Sequence, residues 1–181
     1  MKFIDKICIG FSKAISKISV RRYMSIYTKR LIKLGLKIPK YNGVGYIDPS
    51  CYIDSSMFSL ISIGANVTIS RNVTLLTHDF SIGKGLESIG EAKDGERYKF
   101  LKPITIGDNC FIGANAFILP GTSIGCNCIV GSGAVVKGII PDYSVCVGNP
   151  AIVIADTREW AQKHLKKADY LVVPTKKRAK K

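Results

Sequence analysis

Two histidines, six cysteines and a scatter of carboxylates are the side chains of this 181-residue chain that could carry chemistry. Imidazole changes charge near neutral pH without special tuning, so a histidine is the readiest proton acceptor. His78 ends an apolar run and opens a glycine-rich stretch, where a strand terminus would hold the ring firmly beneath a covering loop. His164 lies in DTREWAQKHLKKADYL, a helix that Asp156 or Thr157 could cap, with Trp160, Leu165 and Ala168 facing the core, and it reads as a surface histidine. The cysteines at 8, 51, 110, 126, 128 and 146 show no metal-type spacing, and the Cys126–Cys128 pair lacks flanking ligands. They read as reduced thiols of small core residues. None has the motif and neighbouring base that a nucleophile needs, and no metal site is expected.

The elements that must position His78 follow from a period of six. Ile106, Ile112, Ile118, Ile124, Val130 and Val136 are aliphatics at that spacing, and Cys110, Ala116, Thr122, Cys128 and Ala134, four places after the first five, are all small. Between them stand Asn109, Asn115, Gly121, Asn127 and Gly133, types that tolerate a left-handed backbone at tight corners. A helix would repeat near 3.6 and a free strand at 2, so this period means short strands joined by corners, three to a coil of about eighteen residues. Ile47, Ile53, Ile63, Ile69 and Leu75 carry the same register earlier, blurred at residues 57 to 62. The two runs predict four to five coils of a β-helix, separated by an excursion over 79–103 that carries Asp79, Glu87, Glu91, Asp94 and Glu96 and no hexad. Excursions of that length are usually functional or disordered.

The run IGDNCFIGANAFILPGTSIGCNCIVGSGAVV, closed by IPDYSVCVGNPA and preceded by LLTHDF, resembles the hexapeptide-repeat acyltransferases, nearest in pattern to galactoside and maltose acetyltransferases and bacterial polysaccharide O-acetyltransferases. The resemblance implies a mainly β, left-handed parallel β-helix, although crossover rules favour the opposite hand. It implies direct transfer from acetyl-coenzyme A to a hydroxyl, with His78 at the position of the catalytic base. It puts Phe111 near the thioester, the Ala114 amide at the acyl oxygen, Ser132 and Gly133 along the pantetheine arm, and Asn149 and Pro150 in the closing turn. The tail departs: VVKGI leaves Lys137 in a threonine place and Gly138 in a lysine place, and Ala155 stands where a basic residue often follows. Lys137 and Arg158 are expected to make up the lost phosphate contacts. Asp79 and Phe80 are expected at the acceptor. Phe80, Tyr98 and Phe100 either stack on a sugar or anchor the excursion, and the group orienting His78 is left open. The resemblance also implies a homotrimer whose sites are shared between chains.

Net charge is +14, but it sits at the ends: +10 over residues 1–46, +6 over 156–181 and −2 between. Such a partition fits a membrane surface or polyanionic ligand better than a nucleic acid, and the composition argues against disorder or a multi-span membrane protein. The organisation read from this is a basic segment of two amphipathic helices (1–46), the β-helix (47–155) and a C-terminal helix with a basic tail (156–181). Phe3, Ile4, Ile7, Cys8, Phe11, Ile15 and Ile18 form one apolar stripe, and Tyr23, Ile26, Tyr27, Leu31 and Leu34 the next. These stripes pack on the protein or a sister chain, or else lie on anionic lipid. The expected enzyme is a cytoplasmic acetyl-coenzyme A-dependent O-acetyltransferase acting on a carbohydrate hydroxyl, such as a surface-polysaccharide precursor at the inner membrane face. The alternatives are an N-acetyl-, serine or antibiotic acetyltransferase of the same fold, or a non-catalytic scaffold. A zinc β-helix enzyme of the γ-carbonic anhydrase type would need three histidines.

Overall fold

The computed structural model describes residues 19–38 and 45–173. The first apolar stripe, residues 3 to 18, and the basic tail from 174 lie outside them. The second stripe forms α1 (Val20–Lys33), capped by Ser19. Its Tyr23, Tyr27 and Leu31, one helical turn apart in sequence, are all at least 98% buried, and the two tyrosine rings stack at 5.1 Å. This face joins the hydrophobic core of the coils, so α1 closes their lower end and its buried stripe is not offered to lipid. The chain then adds one rung beneath the coils, where Lys37 N donates to Ile61 O and Ile63 N to Lys37 O.

The first coil is β1 (Tyr46–Ile47), β2 (Tyr52–Ile53) and β3 (Ile61–Ile63). The second, β4 (Thr68–Ile69) and β5 (Thr74–Leu75), is interrupted by β6 (His78–Asp79), α2 (Ser81–Ser88) and β7 (Phe100–Leu101) before β8 (Ile104–Ile106) completes it. The third is β9 (Phe111–Ile112), β10 (Phe117–Ile118) and β11 (Ser123–Ile124), and the fourth β12 (Ile129–Val130), β13 (Val135–Val136) and β14 (Ile139–Ile140). Corresponding strands pair in parallel, giving three faces, β1-β4-β9-β12-β15, β2-β5-β10-β13 and β3-β8-β11-β14. The helix is left-handed, as the resemblance implied. β15 (Ser144–Val147) continues the first face, and β16 (Ile152–Asp156) turns back antiparallel upon it. α3 (Thr157–Lys167) follows.

The hexad aliphatics form the core: every one from Ile47 to Val136 is at least 91% buried, and the small positions Cys110, Ala116, Thr122, Cys128 and Ala134 are at least 98% buried. A bulky branched residue is thereby stacked over its equivalent in the next coil, each contributing about 1.5–3 kcal/mol by leaving water. At the corners Asn66, Asn109 and Asn127 have φ of 55°, 56° and 58°, and their amides hydrogen-bond upward in a ladder at 2.7 and 2.8 Å. That ladder steps 43 residues from Asn66 to Asn109 but 18 from Asn109 to Asn127, the difference being the 25-residue excursion. The blur at 57–62 is a 3-10 turn, Phe58–Leu60, that lengthens the first coil.

The excursion carries α2 and the antiparallel pair β6–β7. One expectation is corrected. α3 does not pack through Trp160, Leu165 and Ala168, which are exposed, because it follows the outermost strand and Ala168 is already its left-handed cap.

Candidate active site

Asp54 follows β2 and His78 follows β5, so the parallel pairing of these strands stacks both at one corner, where the second face passes into the excursion. His78 Nδ1 lies 2.5 Å from Asp54 Oδ2, and Ser56 Oγ is 3.2 Å from the same nitrogen. Asp54 is 99% buried, yet none of its capacity is idle. Thr77 donates its amide and hydroxyl to Oδ2 at 3.0 and 2.6 Å, and Ser56 its amide and hydroxyl to Oδ1 at 2.9 and 2.5 Å. Burial pushes the carboxyl pKa upward, but the hydrogen bonds from Ser56, Thr77 and His78 outweigh it and hold Asp54 well below the usual carboxylate range. A carboxylate at Nδ1 selects the tautomer with its proton there. Nε2, which has no hydrogen-bond partner among the described residues, is left with a lone pair. The His78 side chain is 24% accessible, so that lone pair belongs to a ring that solvent and substrate can reach.

The excursion stands over this corner. Its neck is pinned where Lys102 N donates to Thr77 O at 2.9 Å and where β6 pairs with β7. Asp79 turns to the start of α2, its Oδ1 accepting the Ser81 amide at 2.8 Å, so the carboxylate that orients His78 is Asp54. Phe80 meets His78 edge-on at 5.5 Å, and its half-exposed ring lies under Arg97 at 4.7 Å and Lys99 at 5.8 Å. A cavity of about 270 Å³ opens beside Phe80, lined also by Lys84, Glu87, Glu96, Arg97 and Tyr98. Phe100 lies under Lys102 and borders a smaller cleft of about 80 Å³ with Asp79, Leu119 and Lys137.

The other residues singled out in the sequence divide between corners. Lys137 is at the His78 corner. Ala114, Ser132 and Gly133 stack at the opposite edge of the second face, where Gly133 N donates to Ala114 O at 2.8 Å. Phe111 projects from β9, nearly half exposed. The Ala114 and Ser132 amides donate to nothing among the described residues, whereas Ala65 and Cys126, their equivalents at the asparagine corner, donate to Asp108 and Asp142. Arg158 is not beside Lys137: it is paired with Asp156 at 2.6 Å and lies over the Tyr143 ring, at the asparagine corner. Within one chain it therefore does not supply the compensation expected of it. A hollow of about 680 Å³ along Trp160, Leu165 and Tyr170 of α3 and the residues after it contains none of the His78 corner. His164 pairs there with Asp169. The buried thiols are not nucleophiles, since burial pushes Cys110 up to about 12 and Cys146 to about 11.

Asp54 was missed in the sequence. Its signal is D-x-S one coil below the histidine, repeating the Asp48–Ser50 turn six residues earlier, in which Asp48 Oδ1 accepts the Ser50 amide and hydroxyl.

The family model described as the hexapeptide repeat of succinyl-transferase matches residues 103–137. Galactoside O-acetyltransferase of Escherichia coli (strain K12) is 39% identical over 62% of this chain and 51% of its own length. Protein CapG of Staphylococcus aureus is 39% identical over 65% of this chain and 67% of its own. The chain spans about half the length of the first curated relatives it matches. In structure it resembles a maltose O-acetyltransferase from Clostridium difficile 630, with a TM-score of 0.55 and 27% identity over 86% of this chain and 89% of that one. Repeat, coil geometry and a relative matched over two thirds of its length agree, and the chain belongs to the hexapeptide-repeat acyltransferase family.

Proposed function

We propose that this protein is an acetyl-coenzyme A-dependent O-acetyltransferase whose acceptor is a carbohydrate hydroxyl. The observation that carries the reading is the buried Asp54–His78 pair, which leaves Nε2 as a base beneath a covered corner. The acceptor oxygen attacks the thioester carbonyl carbon while His78 Nε2 takes the hydroxyl proton. The carbon–sulfur bond then breaks and the coenzyme A thiolate leaves, to be protonated by the imidazolium. Asp54 favours the charged ring during the transfer, and proton transfer to His78 as general base contributes about 10²–10⁴ in rate. The unengaged Ala114 amide is suited to the developing oxyanion. It lies at the far edge of the face that ends at His78, so we place each site between two copies in a homotrimer, one giving the histidine corner and the other the amide corner, with Phe111, Ser132 and Gly133 along the donor and Lys137 toward its phosphates. The basic ends of the chain fit an acceptor held at an anionic membrane face, such as a surface-polysaccharide precursor.

The test is thiol release from acetyl-coenzyme A with pooled mono- and oligosaccharides, wild type against His78→Ala. Acceptor-dependent release that falls by about 10² or more in the variant is expected. Failure of the wild type to bind acetyl-coenzyme A, or release indifferent to His78, would overturn the reading.

A further inference from the structure

Between residues 47 and 155 the chain carries seven basic residues, and six of them, Lys84, Lys93, Arg97, Lys99, Lys102 and Lys137, belong to the excursion or to the corner beneath it. The excursion reads as acidic from its five carboxylates, but five cations match them. Three of the five carboxylates are engaged with neighbours, against one of the five cations. Asp79 accepts the Ser81 amide, Glu87 is paired with Lys84, and Glu96 accepts the Tyr98 hydroxyl. Arg97, Lys99, Lys102 and Lys137 have no ion pair among the described residues. Two of these cations share one aromatic ring. Arg97 and Lys99 lie over Phe80, which itself abuts His78. Laid end to end, the ring separations of 4.7 and 5.5 Å put the guanidinium within about 10 Å of the imidazole, the reach of one sugar ring and one substituent.

We propose that this cluster is an anion subsite for the acceptor: Arg97 and Lys99, held on Phe80, bind a phosphate or carboxylate carried by the sugar whose hydroxyl is presented to His78. A planar guanidinium can take either oxyanion in a two-pronged contact, and the ring fixes its plane while leaving its edge free. The proposal rests on the acetyl-transfer reading for the identity of the acceptor, but anion binding is measurable without turnover. A neutral sugar would leave the cations uncompensated, so the subsite discriminates by charge.

The experiment titrates glucose 1-phosphate, glucuronate and glucose separately into the full-length protein without donor, following ligand NMR line broadening, and repeats the series with Arg97→Ala/Lys99→Ala and with Phe80→Leu. At least one of the two anions is expected to bind about tenfold or more tightly than glucose, with an advantage that shrinks as ionic strength rises. The double variant abolishes that advantage without altering glucose binding, and Phe80→Leu reduces it while keeping both charges. Which anion gains tells phosphate from carboxylate. Glucose binding as tightly as both anions, or an advantage that survives in the double variant, overturns the subsite. Acetyl transfer is then assayed with the same three sugars. Anion binding without thiol release keeps the subsite and removes the transfer reading. His78-dependent transfer to glucose with no anion advantage does the reverse.

Discussion

Asp54 holds a charge where a core residue would be expected, and its worth depends on keeping that charge. Its carboxyl titrates below the usual range because Ser56, Thr77 and His78 outweigh the burial that opposes ionisation. A depressed carboxylate lends stability that is complete above the unfolded pKa of about 4 and is lost as pH falls through the folded value. Asp54→Asn should therefore lower Tm at neutral pH, with the gap from wild type narrowing below about pH 4, and thermal scans across pH would show it. The same variant removes the charge opposite Nδ1 and leaves one accepting oxygen where five contacts now use two, and kcat/KM in the thiol-release assay should fall by about 10² or more. An unchanged kcat/KM would leave Asp54 a purely structural group. His78 was legible because one of two histidines fell at the end of a repeat. Asp54 was not, because its distance from His78 depends on the length of the first coil, which the 3-10 turn at Phe58–Leu60 stretches beyond eighteen residues.

Strands two residues long survive only by stacking, so each coil depends on how closely its neighbour approaches. A Cβ on Gly107 would stand 2.7 Å from the Gly125 backbone, and Gly107→Ala should cost about 1–3 kcal/mol, read as a lower urea midpoint. Gly85, inside α2 with nothing within 4 Å, gives the opposite sign: Gly85→Ala should raise stability by about 0.5–1 kcal/mol. The coils were legible because their inward positions recur without a gap from Ile106 to Val136. α2 was not, since glycines 83 and 85 weaken its propensity and the helix is held by the β6–β7 neck and the hydrogen bond from the Ser81 amide to Asp79. The sequence marks α3 as a helix with Asp156 or Thr157 as its cap, and Asp156 takes that place, but its packing face differs from the expectation because no further coil among the described residues exists for it to cover.

One copy of the chain keeps its histidine corner and its open amides at opposite edges of a face whose outer row is Tyr52, Thr74, Phe117 and Val135. Tyr52 and Phe117 are about half exposed, an apolar strip suited to a neighbouring copy. Light scattering should give the mass of a trimer, and Phe117→Asp should reduce it to that of a monomer and abolish transfer together. A monomer that retains His78-dependent transfer would exclude a shared site. The charged ends are plain in the sequence, yet the one stripe of theirs that the structure describes is spent on closing the coils, which composition could not foretell. The excursion is built on a different logic from the body that carries it. The chain leaves at Thr77 and returns at Lys102, where one hydrogen bond joins the two, and the asparagine ladder resumes as though nothing had intervened. The insert is thus a cassette in the engineering sense: a foreign segment grafted between His78 and Lys102 would change what stands in front of the imidazole and leave untouched the carboxylate that holds it from below.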